Sequence, residues 1–478
     1  MNYRMIRNIL GWLLLFEAGF MLVPLVTGMV FREGSAWSFA VTAVLCASLG
    51  GLCVWEKPKD PVLYAREGFV IVSLSWIVLS LFGAIPFFIS GVIPHYLDAV
   101  FETVSGFTTT GASILSEVES LPRCMLMWRS FTHWVGGMGV LVFIMAFLPL
   151  SGGQNMHIMK AESPGPSVSK LVPRVKTTAM ILYSIYIAMT FAQFILLLFG
   201  GVNVFEALCT AFGTAGTGGF GVRNDSLAGY SPYVQWVVTT FMLLFSVNFS
   251  CYYLFLIGRV KDAFNMELRR FMAVVGVVIL IVTVNVRGLF PSLGDAVRHV
   301  AFTVSSLIST TGFATENYDN WPELSRTLLV LIMFIGACAG STGGGLKISR
   351  LMILLRGAFA ELGNLVHPRR VKRIFMDGHT IEPEVVRATN VYMIWYLLVF
   401  AASVILISFD DHDLITNFTA VTATLNNIGP GLGKVGPTGN FAFFSIPSKL
   451  VLIVDMLAGR LELFPMIVLF SPETWKKT

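Results

Sequence analysis

Three stretches of this 478-residue chain, 68–92, 178–202 and 391–409, contain no charged residue at all. Each is close to the roughly 20 apolar residues needed to cross a hydrocarbon core about 30 Å thick. Further apolar runs at 130–159, 226–258 and 327–346 predict additional spans. Length alone is compatible with about three soluble domains. The uncharged runs argue against that, and so does the composition: 13% of residues are charged, where a soluble chain carries about 25%. The run at 9–31 is too long for the apolar part of a signal peptide and is followed by another at 36–54, so both are expected to be retained as a hairpin. The six cysteines form no CxxC pair and the seven histidines no HExxH spacing. Neither a disulfide framework nor a zinc site is expected. The predicted fold class is an all-α polytopic membrane protein.

Charge sidedness orients it. With the N-terminus inside and segments assigned alternately to the two sides, one class holds 1–8, 55–67, 155–177, 259–270, 347–390 and 471–478. It carries 23 Lys/Arg and 11 Asp/Glu, whereas the opposite class carries 9 and 14. The basic side is expected to be cytoplasmic, with both termini inside. The acidic excess on the outer face would favour cations at the mouth of a pathway.

A weak repeat runs through the chain. Each unit has an apolar span, a half-length apolar segment, a glycine-rich stretch and a second span. The glycine-rich stretches are Gly106–Ala112, Gly213–Gly219, Ile308–Phe313 and Leu425–Gly431, and the glycines aligned are Gly111, Gly218, Gly312 and Gly429. Short segments such as 97–107 and 204–214 reach about 16 Å as helix, half a bilayer. Such a segment must enter, stop midway and return as extended chain, which is tolerated only inside protein or beside water. Four such loops around an axis would make a ring of carbonyl oxygens able to replace the hydration shell of a monovalent cation. The helix C-terminal dipoles would add negative potential there. The units are placed at 61–155, 156–260, 261–375 and 376–478, after an N-terminal hairpin at 1–60.

The string Thr103–Gly111, together with Trp128–Gly139 in the span that follows, resembles the first filter region of the TrkH/TrkG/KtrB family of potassium transporters. Ala423–Gly433 is similar to the family's fourth filter, and the N-terminal hairpin is more similar to the TrkH branch than to KtrB. The resemblance implies one pseudo-fourfold pore per subunit, a homodimer, an inner-membrane location and a cytoplasmic regulator. It implies that potassium is held by the backbone carbonyls of Thr109, Thr110 and Gly111, of Gly216, Thr217 and Gly218, of Thr310, Thr311 and Gly312, and of Asn427, Ile428 and Gly429. The second filter departs from expectation in having glycine at 213 and 216. In related plant transporters a serine at the first filter glycine accompanies sodium permeation; glycine stands at all four aligned positions here, which favours potassium.

Gly340-Ser341-Thr342-Gly343-Gly344-Gly345-Leu346-Lys347 interrupts an apolar span, and glycine at this density should break the helix. By resemblance this segment, Gly340 to Gly345 with Lys347, is an intramembrane gate; the plain alternative is a packing break. Asp455, Arg460 and Glu462 lie in the last span. Intramembrane charges usually face a cavity or a partner. Spacings of five and two residues suit no same-face pair, so Arg460 is expected to find its partner elsewhere, and the resemblance places it near the pore beside the glycine loop. Gly431–Gly436 matches GxGxxG, but no strand and helix surround it.

A membrane enzyme lacks a candidate catalytic constellation here, and an organic-solute carrier would not need four filter-like loops. The expected activity is potassium uptake. The alternative is a sodium-permeable or H⁺/Na⁺-coupled symporter of the same fold. No cofactor is expected on this chain. The resemblance implies that ATP or NAD binds a separate cytoplasmic ring similar to TrkA or KtrA, expected to dock on 155–177, 259–270 or 347–390.

Overall fold

The computed structural model describes residues 1–56, 64–139, 175–367 and 374–476. Six helices among them are long and apolar enough to cross a membrane: Tyr3–Val30, Ala36–Trp55, Ala65–Ile89, Thr177–Phe199, Met266–Leu289 and Pro383–Asp410. The first two pack as a close hairpin. A Cβ on Gly11 would stand 2.7 Å from the Cβ of Cys53, and one on Gly50 would stand 2.8 Å from the Gly11 carbonyl oxygen. Small residues at such crossings let helices touch where lipid offers no hydrophobic drive for association.

Each of the last four long helices precedes a half-length helix and then a returning one. The half-length helices are Tyr96–Phe107, Val204–Ala215, Leu293–Ile308 and Leu414–Leu425. The side chains of Asn203, Ser292 and Asp413 accept hydrogen bonds from the first-turn amides of the last three. An N-cap of this kind satisfies one of the donors a helix start leaves free. The exposed starts are therefore polar, while the ends are buried.

The returning helices are Arg123–Gly137, Pro232–Phe245, Glu323–Ile335 and Ile446–Arg460. Each starts at a proline, Pro122, Pro232, Pro322 or Pro447, in the cap or first turn. The missing N–H costs nothing there. Each is also cut short. Where an unbroken span is expected over 226–258, Pro232–Phe245 and Phe249–Leu256 meet at 91°. Where one is expected over 327–346, the helix ends at Ile335 and Gly336 turns the chain at φ 68°. After Arg460, Glu462 and Leu463 take φ of 55° and 65° before a new helix begins at Phe464. The span expected over 130–159 is described only as far as 139. The helix there ends at Gly137, ahead of Gly139 at φ 81°.

Candidate functional site: four glycine turns and the loop beneath them

The four half-length helices end in the same way. At each terminus the amide of one residue bonds back three positions and the next amide bonds back five. Thr109 and Thr110 bond to the carbonyls of Gly106 and Ser105, and Thr217 and Gly218 to those of Thr214 and Gly213. Thr310 and Thr311 bond to Leu307 and Ser306, and Asn427 and Ile428 to Thr424 and Ala423, all at 2.8–3.2 Å. This is a Schellman cap, which ends a helix by placing one residue in the left-handed region. Glycine usually takes that place. Here it is Thr109 (φ 55°), Thr217 (φ 55°), Thr310 (φ 59°) and Asn427 (φ 55°). A β-branched side chain costs roughly 1–2 kcal/mol in that conformation, which asparagine adopts more readily, and the strain at the three threonines persists where surroundings over-determine it.

Two residues later comes a glycine with positive φ: Gly111 (79°), Gly219 (79°), Gly312 (85°) and Gly429 (99°). This corrects the second turn by one position. Its left-handed residue is Thr217 and its positive-φ glycine is Gly219, so Thr217, Gly218 and Gly219 match Thr109, Thr110 and Gly111. Gly216, at φ −70°, is the helix cap below them. A Thr/Asn-x-Gly pattern common to all four strings carries this register. Counting on glycines alone slipped because the second string has four of them.

The turns form a closed ring. A Cβ on Gly111 would run into the Gly218 carbonyl oxygen, one on Gly219 into that of Thr311, and one on Gly312 into that of Ile428. A Cβ on Gly429 would stand 2.8 Å from the Thr110 carbonyl oxygen, which completes the circle. Each glycine therefore abuts the carbonyl preceding the glycine of the next turn. Gly111, Gly219, Gly312 and Gly429 all line one cavity of about 150 Å³.

Below the ring, Gly336–Lys347 forms a loop, with Gly340, Gly345 and Lys347 at φ of 70°, 72° and 54°. Gly343 lies against the Ser309 carbonyl and Gly344 against that of Asn426. The loop is bonded to its surroundings throughout. The Gly344 amide donates to Thr310 Oγ1 (2.6 Å), the Ala339 amide to Glu267 Oε1 (2.8 Å), and the Thr342 hydroxyl to the Phe245 carbonyl (3.1 Å). Lys347 Nζ donates to the Gly343 carbonyl, and Ser341 Oγ donates to that of Cys338 (2.7 Å). Arg460 donates to the carbonyls of Thr342 (2.8 Å), Gly136 (2.5 Å) and Gly137 (2.7 Å), and to Thr109 Oγ1 (3.2 Å). It therefore sits beside the glycine loop, as expected, and ties the loop to the first turn and the first returning helix. Its sequence neighbours are engaged elsewhere: Glu462 pairs with Arg350, and Asp455 accepts from Ser403 Oγ at 2.7 Å.

Sequence reasoning missed a buried pair behind the first turn. Arg129 Nε lies 2.8 Å from Glu102 Oε1, both within the fold. The same carboxylate accepts from Ser113 Oγ and the Ile114 amide. A charge in an apolar helix within the string Trp128–Gly139 was the available signal.

The TrkH family model, described as a cation transport protein, matches residues 36–477. The Trk system potassium uptake protein TrkH of Escherichia coli (strain K12) is 36% identical over 486 residues, covering 100% of both chains. TrkG of the same strain is 32% identical over 483 residues, covering 99% of each. The crystal structure of the potassium transporter TrkH from Vibrio parahaemolyticus superposes with a TM-score of 0.89 at 33% identity, covering 100% of both chains. The chain is a multi-pass membrane protein that belongs to the TrkH family of cation transport proteins.

Proposed function

We propose that this chain takes up potassium across a bacterial inner membrane, with the four turns as its selectivity filter. The observation carrying this reading is the fourfold Thr/Asn-x-Gly turn, closed into a ring of backbone carbonyls. Carbonyls in such a ring substitute for water around a potassium ion. The filter residues on this reading are Thr109–Gly111, Thr217–Gly219, Thr310–Gly312 and Asn427–Gly429, with the division into four units and an N-terminal hairpin following from them. Relatives named potassium uptake proteins of a Trk system support the same ion.

The loop Gly340–Gly345 is the gate of this pathway, and Lys347 and Arg460 are its latch. Their positive charges beneath the ring oppose passage of a cation while the loop is closed. Both termini are cytoplasmic on the charge bias of the connecting segments. The functional unit is a homodimer with a TrkA-like nucleotide-binding ring on its cytoplasmic face.

The test is flux into sealed vesicles containing the purified chain. Potassium and rubidium should enter much faster than sodium or lithium. Equal sodium and potassium entry would overturn the assignment. Repeating the assay with an imposed sodium or proton gradient separates passive flow from symport.

A further inference from the structure

The second turn lacks the side chains that stiffen the others. In the first, Thr108 Oγ1 lies 2.8 Å from Thr110 Oγ1; in the third, Ser309 Oγ lies 2.7 Å from Thr311 Oγ1. In the fourth, Asn426 Oδ1 accepts from Tyr396 OH at 3.0 Å, and Asn426 Nδ2 donates to the Thr422 carbonyl at 2.9 Å. The equivalent residues of the second turn are Gly216 and Gly218, which bring no side chain.

His133, from the first returning helix, occupies the vacant volume. A Cβ on Gly218 would enter its imidazole, and one on Gly216 would enter its backbone carbonyl. The ring is fully buried and its centroid is 4.3 Å from that of Phe220. Its Nδ1 lies 2.7 Å from the Gly106 carbonyl oxygen and its Nε2 lies 3.2 Å from the Phe220 amide. A carbonyl only accepts and an amide N–H only donates, so these partners fix one neutral tautomer. Nδ1–H donates to Gly106, and the Nε2 lone pair accepts from Phe220. Gly106 is the residue whose carbonyl also closes the first turn by accepting from Thr109. Phe220 directly follows Gly219.

We propose that His133 is a specificity-determining positioning residue, a strut that holds the second turn in register with the first in place of the missing side chains. The proposal rests on the reading of the ring as an ion-selective path. It also accounts for glycine at 216 and 218, since the imidazole and its backbone leave no room for a side chain.

The experiment measures the potassium-to-sodium flux ratio in vesicles for the parent, His133→Ala, His133→Asn and His133→Gln. Glutamine can place an amide oxygen near the site of Nε2 and keep the Phe220 bond; asparagine can reach only toward Gly106. Leaving the buried Phe220 amide without its acceptor should lower the ratio roughly tenfold in His133→Ala and His133→Asn. His133→Gln should stay closer to the parent. Gly218→Ala should be poorly tolerated alone, and better tolerated when combined with His133→Ala. If His133→Ala does not accumulate, the order of glutamine above asparagine decides. A parent-like ratio in His133→Ala, or asparagine at least as selective as glutamine, overturns the proposal. A parent that fails to discriminate potassium from sodium overturns the filter reading instead.

Discussion

Thr310 shows how one side chain couples ring and loop. Its backbone holds the left-handed turn while its hydroxyl receives the Gly344 amide at 2.6 Å. Thr310→Val keeps the β-branched shape and removes that acceptor. A buried donor left unpaired costs about 1–3 kcal/mol, here charged to the closed loop. Vesicle flux should therefore rise with the potassium-to-sodium ratio preserved; unchanged flux in folded protein would count against the coupling. Arg460→Ala removes bonds to three carbonyls and to Thr109 Oγ1. Every ~1.4 kcal/mol taken from the closed state shifts the equilibrium tenfold, so this variant should conduct faster still. Flux no higher than that of the parent would remove Arg460 from the latch. That Arg460 would pair with neither Asp455 nor Glu462 was legible in their spacing along the helix; its place by the glycine loop followed from the family resemblance. The partners those acids actually take, Ser403 and Arg350, lie 52 and 112 residues away, and no local spacing rule reaches that far.

At the scale of elements, the half-length helices were legible from apolar length and the glycines after them. The breaks in the returning helices were only partly so. Glycine density exposed the loop after Ile335, but the 91° bend between Phe245 and Phe249 carries no glycine or proline. Instead, the Ser246 carbonyl accepts the Cys338 amide and the Phe249 amide donates to the Gly340 carbonyl. These bonds to the glycine loop add a tertiary cause to the one local signal, Asn248, whose side chain caps the second helix by accepting from the Ser250 amide at 2.9 Å. The fourth half-length helix offers a test of capping. Asp413 accepts from the Thr416 amide at 3.0 Å, and bonds from the Thr416 hydroxyl and amide hold its carboxyl below the usual range. A depressed folded-state pKa means stability that is present above the unfolded value, about 3.9, and lost as pH falls through the folded one. Asp413→Ala should lower stability by about 1 kcal/mol at neutral pH. Asp413→Asn should keep the cap and flatten the acid limb of the melting-temperature profile. An Asn variant as acid-sensitive as the parent would exclude Asp413 as its source.

Across the whole molecule, the cytoplasmic face is where regulation belongs on this account. The basic segment 347–390 consists, where described, of the helix Ile348–Val366, a short hairpin pairing Phe375–Met376 with His379–Thr380, and the start of the helix at Pro383. Arg369, Arg370, Lys372 and Arg373 lie outside the described residues, as do residues 155–174 of the proposed docking segment 155–177. The helix Ile348–Val366 continues directly from Lys347, so a partner bound there could bias the loop through differential contacts with its two states. Nucleotide should change potassium flux when a TrkA-like ring is present and not when the chain is alone; sensitivity of the isolated chain would contradict this.

The central claim is that four turns with one geometry make one potassium-selective ring. It is tested most directly by the potassium-to-sodium flux ratio of four variants, Gly111→Ser, Gly219→Ser, Gly312→Ser and Gly429→Ser. Each puts a side chain against the carbonyl of the neighbouring turn. The account predicts that all four lose discrimination, Gly219→Ser among them. A second-turn variant at Gly219 that keeps the parental ratio while the other three lose it would contradict the ring.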